Sequence, residues 1–394
     1  MSYGAPYAGL KVVDVSLGFA GPYCAGLFAL YGANVIKVEP PRGDWMRDIG
    51  RAFNRHTPHD LVANRDKRSV ALDLNTEEAR DVVLHMARDC DLFVESWRPG
   101  VAKARGMDYE TVKAINPGVV YVSVSGFGQQ GPHSGRPGTD TVIQAYSGLI
   151  SVNEGQDGMP HRVGMLVPDT ATGLYAHQAA AAALFAKRGG EPEGTHIDVS
   201  LVQAMGAFLA PHVIQWHLED GKPRLLNAPA GTFETQDGFI AITLVKERHW
   251  ADICGCLGLE ELIDDPRYND FTVRAKHIDE LREMMNARLK ERPTAEWVAM
   301  MQEKDILCDF INDFGTWLAD DHIQAAGFAP MIDQPGVGAM PFPVIPGMAP
   351  DPEGDASRPA PDTGQHGREV MAEHGYDDVA MQALVDAGAL MLPE

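Results

Sequence analysis

Short apolar runs and amphipathic stretches take turns along the first half of the chain. Residues 10–15 (LKVVDV), 35–38, 69–74 (SVALDL), 92–95 and 119–125 (VVYVSVS) are brief and rich in valine and other apolar side chains. Such runs predict strands of the kind that a parallel sheet covers on both faces. Between the first two lies a tight turn of Gly18, Ala20 and Gly21, and Pro22 suits the first turn of a helix over 23–30 that stops at Gly32. Residues 77–87 carry the apolar stripe of another helix. Strand, helix and strand in that order require right-handed crossovers, so the expected fold class is α/β, a Rossmann-like large domain with a parallel sheet.

The alternation stops after 194–199, which lead into Ser200 as N-cap of a helix from Leu201. Residues 239–244 (FIAITL) read as an isolated strand, followed by helices over 249–257, 273–290, 294–304 and 311–318, with breaks at 264–268 and 325–330. That change of pattern predicts a smaller α+β domain over 228–328, inserted in a large domain made of 1–227 and 329–394. Residues 331–344 alternate again, 346–361 form an extended linker rich in Pro, Gly and Asp, and 367–390 hold two short helical patterns.

A chain of 394 residues is long enough for two domains. Its net charge of −22, with no block of five or more Lys and Arg, argues against nucleic acid and anionic membrane as partners. The five cysteines, Cys24, Cys90, Cys254, Cys256 and Cys308, are scattered and odd in number, which fits a reducing compartment. Cys254 and Cys256 fit buried small hydrophobes better than a zinc site, and no metal is expected. The opening MSYGAPYAGLK has neither a basic region nor an apolar core, and no apolar run reaches about 18 residues. The expected location is cytoplasmic.

Candidate chemistry concentrates on 166–190 (LVPDTATGLYAHQAAAAALFAKRGG), a long Ala-rich helix that stops at Gly189 and Gly190. Pro168 resists extending it backward, so Asp169 is expected at or near the N-cap, where the helix end favours a carboxylate. A structural cap and a reactive anion both fit these residues. The Gly- and Pro-rich stretch 126–138 must be a loop, and its length suggests a functional one. Glu39 stands where dinucleotide-binding folds place a ribose-binding acid, but Gly18, Gly21 and Gly26 do not make G-x-G-x-x-G, which counts against NAD.

Several segments, in this order, resemble the family III CoA-transferases, the CaiB/BaiF group that includes formyl-CoA transferase. They are 10–39 with Gly43 and Asp44, 64–74 (NRDKRSVALDL), 94–101 (VESWRPGV), 123–131 (SVSGFGQQG), 136–148 (RPGTDTVIQAYSG), the Asp169 helix and 361–366 (PDTGQH). The resemblance implies an interlocked homodimer, each subunit threaded through the other. It also implies an enzyme that moves CoA from an acyl-CoA to a carboxylic acid through an aspartyl-CoA thioester. Asp169 matches the nucleophile, and Asp140 either orients it or the substrate, or caps the helix from Thr141. For coenzyme A, the resemblance places Phe19 and Ala20 near the thioester, and Leu72, Asp73, Ser96, Trp97 and Arg98 along the adenosine and phosphate side. Arg105 and Arg136 are further phosphate candidates, since guanidinium forks suit phosphate.

Three departures narrow the expectation. Phe19 stands where formyl-CoA transferase has Gln, Thr139 replaces its Tyr, and 243–250 (TLVKERHW) replace its glycine-rich loop. Formyl and oxalyl groups are therefore not the expected pair, and Lys246 and Arg248 are left to meet a larger, dicarboxylic substrate. A 2-methylacyl-CoA racemase of the same fold is the alternative. Such a racemase needs two acid/base groups, with a His where this chain has Thr139, and His133 in its loop is a poor substitute. A non-catalytic CoA or nucleotide binder, or a dehydrogenase, is a third possibility, separable by bound nicotinamide absorbance.

Overall fold

Valine-rich runs become strands, and glycine, proline or a capping side chain sets where each helix begins. A computed structural model describes residues 5–155, 158–190, 193–223, 227–348 and 358–393. In chain order come β1 (Lys11–Asp14), α1 (Ala20–Leu30), β2 (Asn34–Glu39), α2 (Pro58–Asn64), β3 (Arg68–Leu72), α3 (Glu77–Ala87), β4 (Leu92–Glu95), α4 (Val101–Ala104), α5 (Tyr109–Ile115) and β5 (Val120–Ser125). Then follow α6 (Asp140–Tyr146), α7 (Val167–Arg188), β6 (Thr195–Ser200), α8 (Leu201–Phe208) and α9 (Ala210–Leu218). Thr57, Thr76 and Ser200 cap α2, α3 and α8 with their hydroxyls. α1 starts at Ala20, earlier than expected, because Pro22 in a first turn loses no helical hydrogen bond and the turn residues become helix.

The chain packs as two units, Met1–Ala210 with Phe328–Glu394, and Pro211–Gly327. The junction lies before the expected 227/228, between Ala210 and Pro211 at the start of α9. The second unit holds β7 (Ala230–Glu234), β8 (Phe239–Thr243), α10 (Arg248–Leu257), α11 (Phe271–Arg274), α12 (Ile278–Leu289), α13 (Thr294–Gln302), β9 (Leu307–Phe310), α14 (Phe314–Ala319) and α15 (Asp321–Ala326). β8 is not isolated: it is the middle strand of an antiparallel β7-β8-β9 sheet whose short, mixed-polarity edges leave little pattern in sequence. The expected helix over 273–290 is broken because the buried Arg274 donates to the carbonyls of Tyr268 (2.9 Å) and Ala228 (2.6 Å) and to Glu247 (2.8 Å).

The first unit resumes with β10 (Met331–Gln334), β11 (Gly338–Pro341), α16 (Gly367–Glu373), α17 (Asp378–Asp386) and β12 (Leu390–Met391). Of the expected linker over 346–361, residues 349–357 lie outside the described residues. Among the described residues one sheet of seven strands runs β12-β3-β2-β1-β4-β5-β6, parallel throughout except for β12 against β3. Val12 and Leu92 face the α1/α7 side, while their neighbours Val13 and Phe93 face the α3/α16 side. That is why the strands are apolar at successive positions. The order 3-2-1-4-5-6 reverses direction between β1 and β4, and in doubly wound sheets the ligand crevice opens at the carboxyl ends of such a pair.

Beneath that crevice lies a buried ionic network. Lys37 Nζ donates to the Ser16 carbonyl and to Asp44 (3.0 Å), and Lys67 Nζ to Asp14 (2.8 Å), the Pro22 carbonyl (2.7 Å) and Asn64 (2.9 Å). Arg47 makes two 2.9 Å bonds to Glu39 and further 3.0 Å bonds to Asp60 and the Pro361 carbonyl. Ser69 Oγ donates to Glu39 (2.7 Å) and accepts from the Gly364 N–H (2.8 Å). The Gly43–Asp44 pair, residues 64–69 and PDTGQH therefore serve the scaffold, and Glu39 is spent on Arg47 rather than on a ribose. Both carboxylate oxygens of Asp44 take the N–H of Gly18 (2.9 and 3.1 Å), which holds the β1–α1 turn. Gly18 has φ +85°, and a Cβ there would lie 2.6 Å from the Trp45 ring.

Burial alone would raise the pKa of Glu39, but Arg47 holds it below the usual carboxylate range. Arg47→Met should therefore cost about 3–5 kcal/mol near neutral pH, read as a drop in denaturant midpoint. The deficit should shrink as pH falls toward 4.5, because Glu39 without its cation takes up a proton readily, whereas wild type loses this contribution only below that pH.

Candidate active site

α7 begins at Val167, so Asp169 is its third residue and not its cap; Leu166 holds the cap position and has no side chain to bond with. Small residues let the helix approach α1 closely. A Cβ on Gly173 would lie 2.9 Å from the Ala20 carbonyl, and Ala171, Ala176 and Ala180 are buried along the same face. Asp169 is half-buried, and among the described residues its carboxylate has no hydrogen-bond or ion-pair partner. Burial and the charge of Asp140 push its pKa up to about 7. The helix end favours a carboxylate there, but desolvation and a like charge outweigh its dipole term of typically about 0.3–1 kcal/mol.

Asp140 opens α6 behind Thr139 and is 4% exposed, which places a carboxylate almost out of water. It does not cap its helix: Oδ1 accepts from Gln144 Nε2 at 2.7 Å, one turn on, and among the described residues Oδ2 is buried with no full hydrogen bond. Burial raises its pKa, opposed by the Gln144 amide, the Asp169 backbone N–H and the charge of Arg162. Two glycines return the loop over 126–138 to the end of β5, for a Cβ on Gly126 would lie 2.9 Å from the Gly138 Cα. Arg136 in that loop stacks over Phe127 (5.1 Å) and Tyr146 (5.6 Å).

The other predicted residues gather at the ends of β1, β4 and β3. Ser96 Oγ accepts from the Leu17 N–H (2.8 Å) and donates to the Leu17 carbonyl (2.9 Å), tying the β1 and β4 ends where the sheet reverses. Gly21 is required there, since a Cβ would sit 2.6 Å from Ser16 Cβ. Phe19 and Ala20 are buried in the turn, with Phe19 stacked on Tyr23 at 5.3 Å. Trp97 is buried under the Arg105 guanidinium (5.0 Å), Arg98 is exposed, and Asp73 and Arg80 both act electrostatically on Arg105. Leu72 is a core residue, so only its main chain reaches the strand end. Arg136 belongs to the Phe127/Tyr146 cluster and not to the Trp97/Arg105 one.

Three residues here escaped the sequence reading. Arg80 joins Arg105 from a helix whose amphipathic stripe gave it no distinction. Glu95, 2% exposed, accepts the Trp97 N–H at 2.7 Å, and burial pushes it up to about 7. Gln144 is the third, and its spacing four residues after Asp140 was its one available signal. In the second unit, Lys246 and Arg248 line a cavity of about 1010 Å³ together with Thr243, Val245 and His249.

The sequence profile described as CoA-transferase family III matches residues 7–367. The succinyl-CoA:glutarate CoA-transferase of Mus musculus is 31% identical over 394 aligned residues, covering 98% of this chain and 90% of that protein. The acetyl-CoA:oxalate CoA-transferase of Acetobacter aceti is 33% identical over 310, covering 76% and 79%. The crystal structure of a CAIB/BAIF family protein from Brucella suis superposes with a TM-score of 0.80 at 30% identity, covering 94% of this chain and 99% of that one.

Proposed function

The chain belongs to CoA-transferase family III and is a CoA-transferase, and we propose that it transfers CoA from an acyl-CoA donor to a carboxylic acid through a thioester on Asp169. An Asp169 oxygen attacks the thioester carbonyl of the donor, the C–S bond breaks, and a mixed anhydride and CoA thiolate result. The thiolate then attacks the Asp169 carbonyl, which forms the aspartyl-CoA thioester and releases the donor acid as a carboxylate. The acceptor carboxylate runs the same steps in reverse.

The observation that carries this reading is an unpartnered Asp169 carboxylate beside a buried second acid. A pKa near 7 leaves much of Asp169 ionised at neutral pH yet makes it a stronger nucleophile than an ordinary aspartate. Acylation also removes a charge that Asp140 repels, so the pair favours the neutral covalent states. Thr139, immediately before Asp140, supplies no second base for racemisation. For coenzyme A we assign the crevice between the β1 and β4 ends, with Phe19, Ala20, Ser96 and Trp97 near the chain of the substrate, Leu72 and Asp73 on its adenosine side, and Arg98 and Arg105 toward its phosphates. Arg136 is a further phosphate candidate from its own loop.

Incubation with an acyl-CoA and no acceptor should leave a hydroxylamine-sensitive adduct of CoA mass on the Asp169 peptide. Asp169→Asn should lower transfer by orders of magnitude while stability changes by at most about 1 kcal/mol. Wild-type exchange in that variant, or an adduct on another residue, would remove Asp169 from the mechanism.

The acceptor in this reading is a dicarboxylic acid longer than oxalate. Relatives are named for glutarate and for oxalate, and Phe19 cannot give oxalate the hydrogen bond that an amide at its place would. The missing bond to a charged group is worth about 1.5–3 kcal/mol, roughly ten- to more than a hundredfold. In a panel of dicarboxylates read by mass spectrometry, glutarate-sized acids should outrun oxalate, and oxalate as best acceptor would overturn the assignment.

The working form in this proposal is an interlocked homodimer in the cytoplasm. Phe185, Leu218 and Phe314 are 80%, 74% and 87% exposed on the single chain, an exposure of apolar surface that an extensive subunit interface would cover. All five cysteines are free. Sedimentation at micromolar concentration should give a dimer, and a folded, active monomer would exclude the interlocked arrangement.

A further inference from the structure

Gln144 is fully buried on α6, one turn beyond Asp140, and its side chain is saturated with hydrogen bonds. Nε2 donates to Asp140 Oδ1 at 2.7 Å and to the Met165 and Val163 carbonyls at 3.0 and 3.2 Å, and Oε1 accepts the Val163 N–H at 3.0 Å. Two amide protons thus serve three acceptors, one of them a carboxylate. Residues 163–165 are the approach to α7, which starts at Val167 and carries Asp169 in its first turn. One side chain therefore joins the α6 carboxylate to the segment that sets where the α7 carboxylate stands.

We infer that Gln144 is a positioning residue of the transfer reaction: it fixes Asp140 and the entry to α7 relative to each other, and so sets how strongly Asp140 acts on Asp169. The inference rests on the nucleophilic role proposed for Asp169. A buried amide must find acceptors for its protons, and here they are the Asp140 carboxylate and the carbonyls that lead into α7. The charged group acting on Asp140 is Arg162, just before the approach segment, beside the backbone N–H of Asp169; among the described residues the charge acting on Asp169 is that of Asp140. Gln144 is thus the neutral side-chain donor through which the pair can be tuned without adding a charge.

Two substitutions test this. Gln144→Met keeps the volume but removes the donor that favours a charged Asp140. Asp140 then holds a proton more readily, Asp169 feels less repulsion, and its titration should move below 7 by about half a pH unit or more. Gln144→Glu keeps the shape, and a carboxyl buried beside Asp140 holds its proton and donates it to Asp140 in the amide's place, so the titration of Asp169 should stay near its wild-type position. The readout is the ¹³C-carboxyl titration of Asp169, assigned by its loss in Asp169→Asn, together with the acid limb of kcat against pH; both should move together in Gln144→Met. A tenfold or greater fall in kcat is expected in Gln144→Met as the approach segment loosens. A displacement in Gln144→Met that Gln144→Glu restores supports the positioning role. An Asp169 titration that stays at its wild-type position in both folded variants overturns it, even if kcat or Tm falls. Retained transfer in Asp169→Asn would instead overturn the proposed reaction, and the carboxyl titration keeps the two failures apart.

Discussion

The N–H of Gly18 on the carboxylate of Asp44 is the contact on which the rest of the crevice depends. Lys37 is bonded to the same Asp44 carboxylate, and it also donates to the Ser16 carbonyl just beyond β1. The turn that leads into α1 is therefore anchored to charges rather than left to loop flexibility. Its left-handed backbone at Gly18 and the close passage of Gly21 past Ser16 permit no side chain at either position. A buried network of this kind is a poor source of net stability but a strong source of register, since breaking any one pair strands another charge out of water. It also reaches from β1 to the C-terminal segment through Glu39, Ser69 and Gly364, which explains why matching motifs lie so far apart in the chain.

Two populations of buried acid follow, and their electrostatics divide scaffold from chemistry. Asp14 and Glu39 sit against Lys or Arg, which overcome burial and hold both below the usual carboxylate range. Asp140 and Glu95 are buried and Asp169 half-buried, with no bonded cation among the described residues, and all three are raised. The fold can supply partners to buried acids, so withholding them from these three leaves carboxyl groups that hold a proton more readily than exposed ones, at the carboxyl ends of β4 and β5 and at the start of α7. That is the environment in which a carboxylate acts as a nucleophile rather than as a strut.

Much of this was legible in sequence because the strands carry their information locally. A run that is apolar at successive positions can only be covered on both faces, and β4 was placed at its observed ends by that rule, α3 by its apolar stripe. The smaller unit was less legible, since β7 and β9 are short edge strands of mixed polarity and Arg274 divides a helix through bonds to distant carbonyls. Asp169 was placed at the start of its helix by sequence, but its environment was not: helix position is written in sequence, while proximity to Asp140 depends on how two helices pack. The role proposed for Gln144 left little signal for the same reason, because three of its four hydrogen bonds go to backbone atoms some twenty residues away.

A helix end alone would have supplied a stable anion, easily capped and weakly reactive. Adding Asp140 and withdrawing water raises the free energy of that anion, and Gln144 holds the second carboxyl at a defined place. In the proposed reaction that repulsion is relieved when Asp169 becomes an acyl derivative, which lowers the barrier to covalent steps without tightening the binding of either acid. In that proposal the site can stay the same across donors and acceptors of different length, with selectivity left to side chains such as Phe19.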